Sequence, residues 1–232
     1  MAAVKKAVQR LGFDIVRYRG SGPTALCGLG NLDCRTIIDV GANQGQFAKE
    51  ARRLFPKARI HCFEPVPSAL EVLVPWAEQD GGVEVHRVAL GPEAGTTQFH
   101  IFEEYTPASS VLSSAHTPVA TTQAAQTIDV PVETLDQVFQ PIEALCEGPV
   151  LLKLDVQGYE GHVLRGGLNV LNAVDACVLE VCNAPLYEGQ STFAEIHALT
   201  QAAGLRFVGT SYQGFEPDGR VSYFDAVFRR ET

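Results

Sequence analysis

The stretch Thr36-Ile-Ile-Asp-Val-Gly-Ala-Asn-Gln-Gly-Gln-Phe47 limits what this chain can fold into more than any other. Ile37 and Ile38 read as a buried strand with Asp39 at its end. Gly41 and Gly45 flank Asn43, and the spacing predicts a helix from Phe47 to Phe55. Strand, tight glycine turn and helix start make a nucleotide cradle. Glycine lets the backbone approach a ligand, and a helix start presents N–H groups with no intrahelical partner. A second strand, Arg59–Phe63, ends at Glu64, 25 residues after Asp39. A doubly wound fold places a ribose-binding carboxylate at about that distance.

The order Asp-x-Gly-x-Asn-x-Gly differs from the dinucleotide fingerprint, which needs Gly-x-Gly-x-x-Gly and a diphosphate on the helix end. Here Asn43 takes the middle position and the third glycine is missing. A carboxylate beside the loop suits a positively charged ligand. S-adenosylmethionine fits, with its sulfonium and ammonium near the loop and its ribose diol on Glu64. The expected cofactor site is therefore Asp39, Gly41, Asn43, Gly45 and Glu64. Val88-Ala89-Leu90, at the mouth of a third strand (Val83, Val85, Val88), is the expected wall for adenine, with Ala89 against the ring. Removing the Glu64 carboxylate is expected to weaken cofactor binding and leave folding almost unchanged.

With 46% hydrophobic and 19% charged residues in 232, the chain can bury one sizeable core. Its net charge of −9 disfavours a nucleic-acid partner. The six cysteines form no Cys-x-x-Cys and read as reduced thiols, which points to the cytoplasm. No apolar run is long enough to span a membrane, and Lys5, Lys6 and Arg10 precede no signal-peptide core. Val4, Val8 and Leu11 predict a short helical arm, followed by a glycine-rich loop up to residue 35. Ser68 with Glu71 reads as a capping box for a helix to about Glu78. Thr97–Phe102 reads as an extra strand. Thr127–Val132 reads as an edge strand because of Pro131, and Leu135–Leu145 as a weak helix. The irregular segment from Glu103 to Gln126 is long for a compact domain. Residues 105–116 are expected to close over an acceptor, with Ser109, Ser110 and His116 near it.

Val150-Leu-Leu-Lys-Leu-Asp155 is the second anchor. It is almost continuously apolar, as a central parallel strand is, yet it holds Lys153 and ends at Asp155. A strand's period of two puts both on one face. After the turn, a helix runs from Glu160 to Leu171 with Gly166-Gly167 interrupting it. Ala176–Cys182 is a further buried strand with one acid, Glu180. A helix from Ser191 to Ala203 and two strands, Leu205–Val208 and Ser222–Phe228, close the chain as an antiparallel hairpin. The whole is a βαβ series of about seven main strands in one doubly wound α/β domain.

These stretches resemble the FkbM family of S-adenosylmethionine-dependent methyltransferases. Asp39-Val-Gly-Ala-Asn-Gln-Gly45 is similar to its cofactor loop and Phe63-Glu-Pro65 to its second acidic site. Lys153-Leu-Asp-Val-Gln-Gly-Tyr-Glu160 with Val163-Leu-Arg-Gly166 is similar to its Lys-Ile-Asp-Val-Glu-Gly-x-Glu signature. Gln157 stands where the family usually has Glu: a lost charge if that Glu acts in the site, a kept hydrogen bond if it only ties down the loop. The resemblance covers about Thr36 to Phe228. It implies a Rossmann-like class I fold over residues 36–232, seven-stranded and mostly parallel with an antiparallel last strand, after an arm over 1–35. It also implies O-methylation, commonly of a sugar hydroxyl on a natural product or glycan. The Tyr187-Glu-Gly-Gln190 stretch is similar to members from bacterial glycan synthesis.

On this reading Asp155 orients the acceptor hydroxyl or acts as its base, Lys153 holds its charge and Glu180 completes the cluster. Gln157 and Glu160 lie on the acceptor side. His116 and His162 are alternative bases. Asp155 and Glu180 are hard oxygen donors, so a divalent metal stays open, although no metal-specific spacing is present. Two other functions remain: a nucleotide-binding oxidoreductase, and a non-catalytic S-adenosylmethionine-binding module for which Gln157 is the hint.

Overall fold

A computed structural model describes residues 29, 32–101, 110–112, 126–140, 148–184 and 186–231. The expected N-terminal arm, Ser109, His116 and most of the 105–116 segment lie outside them. The strands are β1 (Thr36–Val40), β2 (Arg59–Phe63), β3 (Val83–His86), β4 (Ala89–Leu90), β5 (Gly95–Ile101), β6 (Gln126–Glu133), β7 (Val150–Leu154), β8 (Ala176–Cys182), β9 (Leu205–Phe215) and β10 (Val221–Arg230). The helices are α1 (Gln46–Leu54), α2 (Pro67–Asp80), α3 (Leu135–Val138), α4 (Glu160–Arg165), α5 (Leu168–Ala173) and α6 (Phe193–Ala202).

Seven strands form one sheet in the order β3-β2-β1-β7-β8-β10-β9. All pair in parallel from β3 to β8, and β10 runs antiparallel to both its neighbours. β1 and β7 lie at the centre and are buried at every position, which is why their sequences are apolar on both faces. The period of two divides them between two cores. Ile38, Val40, Leu152 and Leu154 pack with α4, α5 and α6, whereas Ile37 and Leu151 share the other face with Ala48 and Ala51 of α1 and Leu73 of α2. Gly166-Gly167 divides the expected 160–171 helix into α4 and α5.

A separate three-stranded sheet, β4-β6-β5, packs Phe99, Ile101, Val130 and Val132 against Val66 and Ala69 at the start of α2. It corrects two expectations. Val88 belongs to no strand, and β4 leaves the main sheet just beyond it. β6 is a central strand, although Pro131 suggested an edge. Its neighbour β4 pairs only with Val132 and Glu133, so a residue without an N–H is tolerated just outside that short ladder. The Ser68 capping box is also absent. Pro67 opens α2, Val66 is its N-cap, and the Glu64 carboxylate accepts from the Val66 N–H at 2.8 Å.

Two features of this frame set the site. The β9–β10 pairing changes register three times, once between Phe224 and Ala226, so Asp225 is opposite Glu180 of β8 but no single residue of β9. At the other end, Gly41 has φ +74°, and a Cβ there would stand 2.0 Å from the Asp155 carbonyl oxygen. The turn after β1 and the turn after β7 can therefore touch only through glycine. Gly41→Ala combines left-handed strain with a backbone collision and is expected to cost about 2–4 kcal/mol. Urea denaturation measures this; an unchanged midpoint would mean the two turns are not in contact.

Candidate active site

The loop after β1 is fastened by backbone bonds: Gly41 and Ala42 both donate to the Phe63 carbonyl at 3.0 Å, and Gly45 donates to Ala42 at 2.8 Å. Asn43 takes a left-handed conformation, φ 46°, which turns its N–H onto Glu64 Oε2 at 2.8 Å. The other Glu64 oxygen serves Val66, and the Glu64 N–H donates to the His86 carbonyl at 3.0 Å. Glu64 thus joins the loop, the start of α2 and the end of β3. It is 5% exposed, and burial pushes its carboxyl up to about 7 despite the two N–H donors.

Above these turns, at the carboxyl ends of β1, β2 and β7, opens a cavity of about 370 Å³, within the usual range for small-molecule sites. Gly41, Asn43 and Glu64 line one side, with Phe63, Val66, Ala89 and Leu90 as an apolar wall. Lys153, Asp155, Gln157 and Asp225 line the other end.

That polar end is one network. Lys153 Nζ lies 3.3 Å from Asp155 Oδ2 and 3.4 Å from Asp39 Oδ1. Burial opposes the lysine's charge, but Asp155, Asp39 and Glu180 outweigh it and hold its pKa above the ordinary value. Burial alone would raise Asp155 too; the ammonium, with the Gln157 amide, holds it below the usual carboxylate range instead. Gln157 Nε2 donates to Asp155 Oδ1 at 2.9 Å and to Glu180 Oε2 at 2.6 Å, while its Oε1 accepts from the Tyr187 hydroxyl at 3.1 Å. Burial, then the charges of Asp155 and Glu160, push Glu180 well above its normal range. Gln157 is therefore a donor between two carboxyl groups. An ionised Glu there could not donate to either.

The structure brings Gly41, Asn43, Glu64, Ala89, Lys153, Asp155 and Gln157 to one cavity, with Glu180 behind Gln157. Gly45 lies below it as the N-cap of α1, at φ 83°. Three expected contacts are corrected. Asp39 is fully buried and faces Lys153, so it reaches a ligand only through that ammonium. Glu160 is 2% exposed, and its Oε1 accepts from the N–H groups of Val156 and Gly158 in its own turn, so it is not an acceptor contact. Ser110 is buried with its hydroxyl on the Gln157 carbonyl at 3.1 Å, and Val111 lines the cavity in its stead. His162 stacks on Tyr159 at 4.3 Å and does not line the cavity.

Asp225 was not anticipated. It lines the cavity, and burial followed by the Asp155 charge raises its carboxyl to about 6. The available signal was an acid inside the apolar run Tyr223–Phe228, the same signal that marked Glu180. Among the described residues no third histidine, cysteine or carboxylate comes close enough to Asp155 and Glu180 for the three to share an ion.

The sheet order with its reversed β10, the glycine turn after β1 and the carboxylate closing β2 are those of the Rossmann-like class I architecture. The chain belongs to the FkbM methyltransferase family: the model of the methyltransferase FkbM domain matches residues 39–207. It is 26% identical over 183 residues to Methyltransferase 1 of Beauveria bassiana, covering 73% of this chain and 71% of that one. It is 29% identical over 160 residues to the 2-O-methyltransferase NoeI of Sinorhizobium fredii, covering 66% of each. The crystal structure of methyltransferase FkbM from Methylobacillus flagellatus matches with a TM-score of 0.51 at 14% identity, over 90% of this chain and 48% of that chain, which is a likeness of fold.

The Glu64 geometry argues against the expectation that its loss spares folding, because Glu64→Ala removes the acceptor of the buried Val66 N–H and the part-buried Asn43 N–H. Its pH behaviour follows from the sign of the shift. A carboxyl raised from 4.5 to about 7 binds more protons folded than unfolded between those values. Its contribution is present at low pH and lost as pH rises through that window, with a limiting slope of about 1.4 kcal/mol per pH unit. Glu64→Gln is expected to flatten this part of the stability profile of the ligand-free protein between pH 5 and 7. Denaturant titrations across that range measure it, and an unaltered profile would place the proton elsewhere.

Proposed function

We propose that the protein transfers a methyl group from S-adenosylmethionine to a hydroxyl oxygen, that of a sugar in a glycan or glycosylated natural product. The observation that carries this reading is the charge of the cavity. Among the described residues, Glu50, Glu64, Asp155 and Asp225 line it, against one cation, Lys153, already paired with two aspartates. Such a lining suits a ligand bearing a sulfonium and an ammonium and repels the diphosphate of a nicotinamide dinucleotide. On this reading the apolar wall at Ala89 and Leu90 takes the flat base and Glu64 takes the ribose diol. The acceptor class rests on family membership and on the name of the relative NoeI, a 2-O-methyltransferase.

When bound, the cofactor supplies an electrophilic methyl carbon, which leaves sulfur as the acceptor oxygen bonds to it. The protein's part is positioning and proton transfer. Asp155 keeps 37% of its side chain exposed and is held ionised by Lys153 and Gln157, so it is a fixed hydrogen-bond acceptor that orients a hydroxyl. The same ion pair makes it a weak base. Asp225, raised to about 6, is better matched to take the hydroxyl proton near neutral pH. Gln157, itself bonded to Glu180, holds Asp155 from behind.

S-adenosylhomocysteine is expected to raise the melting temperature, as any ligand selective for the folded state does, and NAD to leave it unchanged. The reverse result would favour an oxidoreductase. With a hydroxyl acceptor in hand, Asp225→Asn is expected to lower the single-turnover rate about 10²–10⁴-fold while sparing the S-adenosylhomocysteine shift. Asp155→Asn is expected to lower both rate and stability, because it leaves Lys153 with one partner. Full turnover by Asp225→Asn would return the role of base to Asp155.

A further inference from the structure

We propose that His61, Glu84 and His86 bind one divalent transition-metal ion of the zinc type at the β2–β3 edge of the sheet, outside the cofactor cavity. The parallel register sets His61 opposite Glu84, and His86 follows two residues later on the same face of β3. His61 Nδ1 stands 3.2 Å from His86 Nε2. The Glu84 oxygens stand 3.5 Å from the first and 3.8 Å from the second. Two imidazole nitrogens bound to one tetrahedral zinc ion lie about 3.3 Å apart. The pair already has the separation of two ligands on a shared ion.

Neighbouring side chains fix the rings. His86 stacks on Phe63 at 4.3 Å and 8°, and His61 meets the edge of Phe139 at 5.1 Å. Without an ion, two facing neutral imidazoles can share only one N–H between them; an ion bound at both nitrogens replaces that proton. Burial, then the neighbouring His86, lowers His61 to about 4, and burial lowers His86 too. The neutral imidazole is the form that ligates, and burial favours it at both rings. Glu84 is 60% exposed, so an ion can enter from solvent and a water can complete the coordination. Two imidazoles and one carboxylate suit zinc, nickel or copper; magnesium and calcium prefer oxygen alone. None of the three residues lines the cavity, but Phe63 does, and Glu64 donates to the His86 carbonyl. An ion here ties β2 to β3 behind the wall that carries Glu64, a positioning role independent of the methyl-transfer reading.

The test uses the full chain, stripped with a chelator and titrated with Co²⁺ as the spectroscopic probe. One equivalent is expected to bind with the visible absorption of a four-coordinate site, to be displaced by Zn²⁺, and to be indifferent to Mg²⁺. Glu84→Gln, a change at an exposed side chain, is expected to weaken binding at least about tenfold. His86→Phe keeps a ring against Phe63 and is expected to abolish it, with the fold checked by circular dichroism. No Co²⁺ band in the unaltered protein, equal competition by Mg²⁺, or unchanged affinity in both variants would overturn the assignment.

Discussion

Among the described residues one cation, Lys153, is buried, and the central strands depend on it. Lys153 occupies the middle of the sheet, where β1 and β7 are buried at every position, and it is the register partner of Asp39 on the adjacent strand. Withdrawing an ammonium from water costs several kcal/mol, and that cost is met only if opposite charge lies close by. Asp39 supplies it from behind and Asp155 from in front. This explains why the acid of the glycine loop does not reach the cavity: it is committed to the lysine. It also explains why Asp155 keeps its charge beside Glu180 and Asp225. Cohesion of the central strands and the electrostatics of the site are one arrangement.

The acids around that cation divide their protons by position. Asp155, next to the ammonium, is ionised. Glu180, one strand further away, is pushed well above the usual carboxylate range by burial and by the charges of Asp155 and Glu160. Gln157 lies between them with its two amide hydrogens, and Tyr187 fixes which way the amide faces. A carboxylate at position 157 would add negative charge where three acids already converge. The departure from the family's usual Glu is therefore a change of hydrogen-bonding sense as well as of charge.

Local patterns carried much of this in the sequence. The strand, turn and helix around Gly41 and Gly45, the apolar run broken by Lys153, and the acid closing β2 each depend on residues close in the chain, so pattern alone placed them. What escaped depended on strand order and register. Asp225 becomes part of the site only because β10 inserts between β8 and β9, which brings residue 225 opposite Glu180. His61 meets Glu84 through the β2–β3 register, which no local period encodes. Glu160 was misplaced for the opposite reason: its signature marks the turn correctly, but the side chain serves the N–H groups of that turn. Glu64 was only half legible, since its bond to Asn43 spans two elements.

The two ends of the cavity rest on backbones of very different tolerance. Around Gly41 the chain has no slack, because the next turn stands where a single extra carbon would be. Around Asp225 the hairpin has already absorbed unequal strand lengths at its register shifts, the kind of irregularity that re-aims a side chain beside a site. A residue gained or lost in β9 can be taken up there without displacing β1 or β7. The fold thus sets a rigid end of the cavity, at Gly41, against an end at Asp225 whose strand pairing is already irregular.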